Sequence, residues 1–183
     1  MNITLEQLNE IFPYAAKAGR NEKNLKALND IFDAYEINTV NRIAGFLSQI
    51  GKETVEFLYT HELGTVAYLS KYEPGTKIGA SLGNTEKGDS VRYKGRGWIM
   101  VTGRYNTQKC SDALGVDFIS HPEKLEEPEY AAKSAAWYWK EHNINQACDE
   151  DDVKKITKLV NGGYNGLEER TQYYIKAKEV LSR

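Results

Sequence analysis

Residues 39–54 read Thr-Val-Asn-Arg-Ile-Ala-Gly-Phe-Leu-Ser-Gln-Ile-Gly-Lys-Glu-Thr. Val40, Ile43, Ala44, Leu47 and Ile50 recur at helical spacing and share one face. A helix therefore follows Asn38-Thr39 and buries that stripe in a core. Its apolar face stops near Ile50, so Glu53 lies at or just beyond the C-terminal end.

The same period extends outward on both sides. Thr4 to Gln7 reads Thr-Leu-Glu-Gln, a capping box that opens a first helix. Pro13 kinks or ends the first part of it. Leu25, Leu28, Ile31, Phe32 and Tyr35 mark a second helix. Downstream, a helical pattern starts at Arg104 and stops at Gly115, a C′ glycine. Another runs through Tyr130, Ala131, Ala135, Trp137, Tyr138 and Trp139. The acidic run Asp149-Glu150-Asp151-Asp152 precedes Val153, Ile156, Leu159 and Val160, and suits the first turn of a helix. Asn161-Gly162-Gly163 ends that helix, and a last one covers residues 167–181. Between Leu63 and Gly97 the period is lost, and Gly64, Gly75, Gly79, Gly83, Gly88, Gly95 and Gly97 accumulate. So long an irregular stretch inside a compact domain is usually functional. The expected fold is all-α: one globular helical domain over residues 1–183, with no separate wall-binding domain. The glycine-rich stretch is expected to form a cleft as a loop or short hairpin.

Composition narrows the function classes. The chain has 183 residues, 24 basic and 26 acidic, a net charge of −2, which argues against a dedicated nucleic-acid binder. Charge is uneven: residues 121–152 carry a net −6 and residues 153–183 a net +4. The basic end is either a solvated helix face or an aid in approaching an anionic polymer. No apolar run approaches the ~20 residues of a membrane span, so no stable membrane insertion is expected. Cys110 and Cys148 are too few for a metal cluster or a disulfide framework, and read as small, semi-buried thiols. The N-terminus lacks a basic head and an apolar core, so no signal peptide is expected. Delivery beyond the cytoplasm would then need another system.

Three groups of residues could carry chemistry. Glu53 faces the negative end of its helix dipole, and partial burial would add to that. Both effects favour the protonated carboxyl that a general acid needs. Glu62 follows nine positions later, in Tyr59-Thr60-His61-Glu62. On a continuous helix that gap would span ~13.5 Å. Paired carboxyls in an inverting glycosidase lie ~6.5–9.5 Å apart, so the chain must turn between Thr54 and Thr60 for the pair to act together. Glu56 competes as a carboxylate but reads as a solvated charge. The densest segment is residues 92–106, Arg-Tyr-Lys-Gly-Arg-Gly-Trp-Ile-Met-Val-Thr-Gly-Arg-Tyr-Asn. Its glycines permit close approach of a ligand or another backbone. Its aromatic side chains can stack on sugar faces, and Thr102 and Asn106 can orient water or an amide.

Together these strings resemble glycoside hydrolase family 19. The resemblance rests on Arg-Ile-Ala-Gly-Phe-Leu-Ser-Gln-Ile-Gly-Lys-Glu (42–53), residues 92–106, the Trp137-Tyr138-Trp139 helix, and Val-Asn-Gly-Gly (160–163) with Asn165-Gly166 and Arg170. It covers about residues 40–182. More narrowly, the chain is similar to the compact phage-type lysins (endolysins) of that family, which cut peptidoglycan. The plant-type chitinases of the family are larger and disulfide-bonded.

The resemblance implies a lysozyme-like all-α fold and an inverting mechanism with two glutamates. Glu53 matches the general acid and Glu62 the general base, while Thr102 falls where a hydroxyl helps hold the attacking water. Asn106 and Asn161 match asparagines that contact substrate or its acetamido group. Tyr105 falls beside Asn106 on the substrate side. Arg170 matches an arginine that orders carboxylates near the acid. No metal or organic cofactor is implied. The partner implied is peptidoglycan or a related amino-sugar polysaccharide, taken by a monomer delivered by a holin, a phage tail or a secretion apparatus. The alternatives are a chitinase and a silent glycan-binding module on the same scaffold. Two positions depart from the family pattern. Lys52 stands where the family usually has His, and is expected to point to water. Met100 stands where it usually has Gln, which removes an amide from one sugar contact.

Overall fold

The computed structural model describes all residues, 1–183. Twelve α-helices follow one another: α1 (Leu5–Ile11), α2 (Pro13–Lys17), α3 (Arg20–Ala34), α4 (Val40–Thr54), α5 (Val66–Leu69), α6 (Lys77–Ser81), α7 (Asp89–Arg92), α8 (Arg104–Leu114), α9 (Pro128–Glu141), α10 (Ile144–Asp149), α11 (Val153–Asn161) and α12 (Leu167–Leu181). Two 3₁₀ turns, Ser70–Tyr72 and Pro122–Glu126, complete the set. No sheet forms. The expected hairpin is reduced to two isolated antiparallel bridges, His61 with Arg96 and Arg96 with Val101.

The chain divides into two compact units. The first joins Met1–Tyr59 to Ala136–Arg183, and the second is Thr60–Ala135.

In the first unit the sequence signals sit where the helices begin and end. Thr4 and Gln7 form the capping box of α1. Pro13 starts α2 at a position where its missing N–H costs nothing. The Thr39 hydroxyl accepts from the Arg42 N–H and opens α4. Ile43 to Gly51 are all buried, so α4 is the central helix of this unit. Phe46 packs edge-on against Trp139 and Phe32, with ring centroids 5.1 and 6.2 Å away. Helix α12 lies along α4 more extensively than any other pair of helices meets. The acidic run divides its labour. Only Asp152 caps α11, through the Lys155 N–H. Asp149 ends α10 and pairs with Arg42, Glu150 holds Lys155, and Asp151 holds Lys178. Helix α10 has no signal of its own in the sequence, because six residues show less than two turns of periodicity.

Beyond Thr54 the chain turns sharply. Val55, Glu56 and Phe57 all adopt left-handed backbone, with φ of 49°, 52° and 61°. Three non-glycine residues in a row at positive φ are costly and must be held. Thr54 holds them by donating to the Ile50 carbonyl at 2.6 Å and accepting from the Phe57 N–H at 2.7 Å. Glu56 contributes more. It is buried, and its carboxylate accepts from the Ala15 N–H and the Tyr173 hydroxyl, each at 2.9 Å. The expectation of a solvated charge at Glu56 is therefore corrected.

In the second unit the irregular stretch contains α5, α6, α7 and one 3₁₀ turn, none longer than five residues. Helices this short show no apolar period. Buried Asp89 organises the region: its carboxylate accepts a two-pronged bond from Arg104, both prongs 2.8 Å, and the Thr85 and Glu86 N–H groups. Gly103 precedes α8 at φ 89°, and a Cβ there would lie 2.5 Å from the Leu82 Cβ. Only glycine fits that approach. Tyr93, Trp98, Val101, Cys110, Phe118 and Leu125 form the core of this unit. Cys110 here and Cys148 in the first unit are buried, and burial pushes both thiols up to about 12.

Candidate active site

Each unit carries part of the expected site. The first holds Glu53, Asn161 and Arg170; the second holds Glu62, Thr102, Tyr105 and Asn106.

Glu53 is the penultimate residue of α4, with its side chain 23% exposed. Arg170, on the first turn of α12, is buried and reaches it. Its Nη2 lies 2.5 Å from Glu53 Oε1, and its Nη1 donates to Gln49 Oε1 at 2.6 Å. Gln49 sits one turn before Glu53, so the guanidinium spans two successive positions of the same helix face. Arg170 Nε donates to the Asn165 carbonyl, and the Asn165 N–H donates to Asn161 Oδ1 at 3.3 Å. The Val160–Gly163 motif and Arg170 thus form one chain of bonds ending at Glu53. Asn161 itself is exposed and folds over its own loop rather than onto Glu53. Burial, and then the charge of Glu53, raises the Tyr138 phenol above its ordinary range. Lys52 turns away from Glu53: its Nζ lies 2.6 Å from Glu169 Oε1, and its stem covers Gly166, where a Cβ would lie 2.4 Å from Lys52 Cε.

Glu62 is held from three sides. Its N–H donates to the Gly95 carbonyl at 2.7 Å, the Gly95 N–H returns to Oε2 at 3.3 Å, and the Tyr72 hydroxyl donates to Oε1 at 2.9 Å. A second backbone bond, from the Gly97 N–H to the Thr60 carbonyl at 2.8 Å, stitches the same segment to the glycine string. Glu126 clamps it again, accepting from Arg96 Nε at 2.8 Å and lying 3.0 Å from His61 Nδ1. Thr102 and Met100 flank Gly95: a Cβ on that glycine would lie 3.0 Å from Thr102 Oγ1 and from the Met100 Cβ. Thr102, Met100 and Glu62 therefore all adjoin the same glycine. Asn106 donates to the Thr102 carbonyl at 2.9 Å, one turn into α8. Tyr105 is 58% exposed, with Lys109 Nζ 5.6 Å from its ring centroid.

A sequence profile of glycoside hydrolase family 19, described as Chitinase class I, matches residues 23–163. The chain belongs to glycoside hydrolase family 19. A Haemophilus influenzae protein described as a glycosyl hydrolase family 19 domain-containing protein is 31% identical over 198 aligned residues, covering 95% of this chain and 94% of that one. An Arabidopsis thaliana endochitinase is 28% identical over 82% of this chain, which spans 52% of that relative's length. Among solved structures, chitinase C from Streptomyces griseus HUT6037 has a TM-score of 0.74 at 22% identity, covering 98% of this chain and 76% of that one. The class IV chitinase from Zea mays has a TM-score of 0.74 at 19% identity, covering 98% and 92%. These two show that the all-α fold is shared.

Family 19 membership makes the chain a glycoside hydrolase, acting on β-1,4 linkages between N-acetylhexosamines. Sequence reasoning missed Gln49, Tyr72 and Glu126 around Glu53 and Glu62. Gln49 lies inside the quoted helix but on the side opposite the apolar stripe, so the period gives no sign that it is buried. Tyr72 and Glu126 lie in short 3₁₀ turns, where no period marks which side chain points inward.

Proposed function

We propose that this family 19 enzyme hydrolyses the glycan strands of peptidoglycan, between N-acetylmuramic acid and N-acetylglucosamine, with inversion. The observation that carries a two-carboxylate reaction is that each glutamate is held by dedicated donors, Glu53 by Arg170 and Glu62 by Tyr72 and Gly95. In this reading Glu53 gives its proton to the leaving oxygen as the glycosidic C–O bond breaks. Glu62, assisted by Thr102, takes a proton from the water that bonds to the anomeric carbon from the opposite face. Tyr105, Asn106 and Asn161 take the sugar and its acetamido group, and Arg170 orders Glu53. The enzyme acts as a monomer after delivery to the wall by another system. One feature favours peptidoglycan: Met100 stands beside Gly95 where the family usually has an amide.

A chitinase is the second reading, favoured by the endochitinase relative. Turbidity loss of purified sacculi, run beside release of soluble sugar from chitin, separates the two. Lysis of sacculi with no chitin turnover is expected, and the reverse pattern overturns the substrate. Glu53→Gln and Glu62→Gln are each expected to cut turnover by at least about 100-fold while the helical spectrum is kept. Early proton NMR of the product should show the α anomer. A β product overturns inversion.

A further inference from the structure

We propose that Tyr72 is a positioning residue that aims the Glu62 carboxylate, with Lys71 fixing its ring, so that Oε2 is the oxygen that takes the proton from water. This rests on the reading of Glu62 as the base. Tyr72 donates to Oε1 and the Gly95 N–H donates to Oε2, so one lone pair on each oxygen is engaged and the plane of the carboxylate is set. The last torsion of a glutamate is otherwise broad, and a base that turns freely is misaimed most of the time. Lys71 Nζ lies 3.9 Å from the same Oε1, 3.5 Å from the Tyr68 ring centroid and 4.7 Å from that of Tyr72. One ammonium thus ties both rings to one carboxylate oxygen. Oε1 is flanked by a hydroxyl and a cation, and Oε2 faces one backbone N–H on the side where Thr102 adjoins Gly95. Oε2 is therefore the better proton acceptor.

The backbone supports this arrangement. Tyr72 closes the Ser70–Tyr72 turn, and its carbonyl accepts from Asn84 Nδ2 at 2.8 Å. Burial, then the bond to Glu62, raises the Tyr72 phenol, so the hydroxyl keeps its proton across the neutral range.

Tyr72→Phe removes the hydroxyl, leaving the ring beside Lys71 and the bond from Asn84 in place. On whichever polymer the wild type turns over, Y72F is expected to lower kcat about 10- to 100-fold, with KM within about twofold. The decisive measurement is the same change made on E62Q. If Tyr72 acts only through Glu62, adding Y72F to E62Q lowers the residual rate no further. An equal loss in both backgrounds means a general structural role and overturns the proposal. So does a wild-type kcat in Y72F. If E62Q alone keeps wild-type turnover, the base reading fails first and this inference falls with it. Folded fractions from circular dichroism normalise each rate. Lys71→Met is the second variant, with the same kcat-selective loss expected and an unchanged rate counting against the role of Lys71.

Discussion

Lys52 precedes Glu53 in the chain, yet its ammonium reaches the other way, to Glu169. The lysine that replaces the family's usual histidine is therefore not aimed at Glu53. Lys52→His is expected to displace the basic limb of the pH–activity profile by less than about half a unit, since a partly exposed ion pair is worth little. A displacement of a full unit, measured at fixed ionic strength, would mean that Lys52 acts on Glu53. Arg170 is the opposite case. It is buried, and its loss would strand both Glu53 and Gln49. Arg170→Ala should cost about 2–3 kcal/mol in urea unfolding. Arg170→Lys should recover part of that stability but little activity, because an ammonium cannot span two acceptors as a fork does. Glu53 and Arg170 drew attention in the sequence because they sit with strings that carry the family pattern, and Glu62 only through its spacing from Glu53. The burial of Glu56 was not legible, because nothing local announces that a carboxylate two residues past the end of a helix will be swallowed by α2 and α12.

At the scale of elements, α4 was readable almost residue by residue, since fifteen residues give four turns of periodicity and a polar cap. Helices α5 to α7 and α10 were not, since each is six residues or fewer. One close approach of two helices is also invisible in sequence. A Cβ on Gly45 of α4 would lie 2.6 Å from the Cys148 Sγ on α10. Gly45→Ala gains about 1 kcal/mol of helix propensity but forces an overlap that costs about 1–3 kcal/mol. Net destabilisation of about 1 kcal/mol is expected. The test is the same change on Cys148→Ala, where the sulfur is gone and Gly45→Ala should become neutral or stabilising. An equal penalty in both backgrounds would show that the sulfur is not the obstacle.

At the scale of the molecule, both units rest on carboxylates that must stay ionised. Burial alone would raise the Asp89 carboxyl, but the Arg104 fork and the Glu86 and Thr85 N–H groups outweigh it and hold it below the ordinary range. In the first unit Asp149, through Arg42, and Asp151, through Lys178 and Tyr174, are held low in the same sense. A carboxyl depressed by folding stabilises above the pKa of the unfolded chain, and the gain is lost as pH falls through the folded value. Stability should therefore hold down to about pH 5 and fall progressively below about pH 4. Thermal melts across that range check it. Asp89→Asn should lower the melting temperature at neutral pH and flatten the acid slope. A melting temperature as sensitive to acid in the variant as in the wild type would exclude Asp89 as a contributor.

The first unit is assembled from two separate segments, while the second is one unbroken run of residues between them. Helix α4 has to wait, because its principal neighbour α12 is made only after the whole of the second unit. Arg170 arrives 117 residues after the glutamate it holds. A nascent chain therefore carries Glu53 unanchored while the whole second unit is made, and the glutamate gains its guanidinium only when α12 settles on α4.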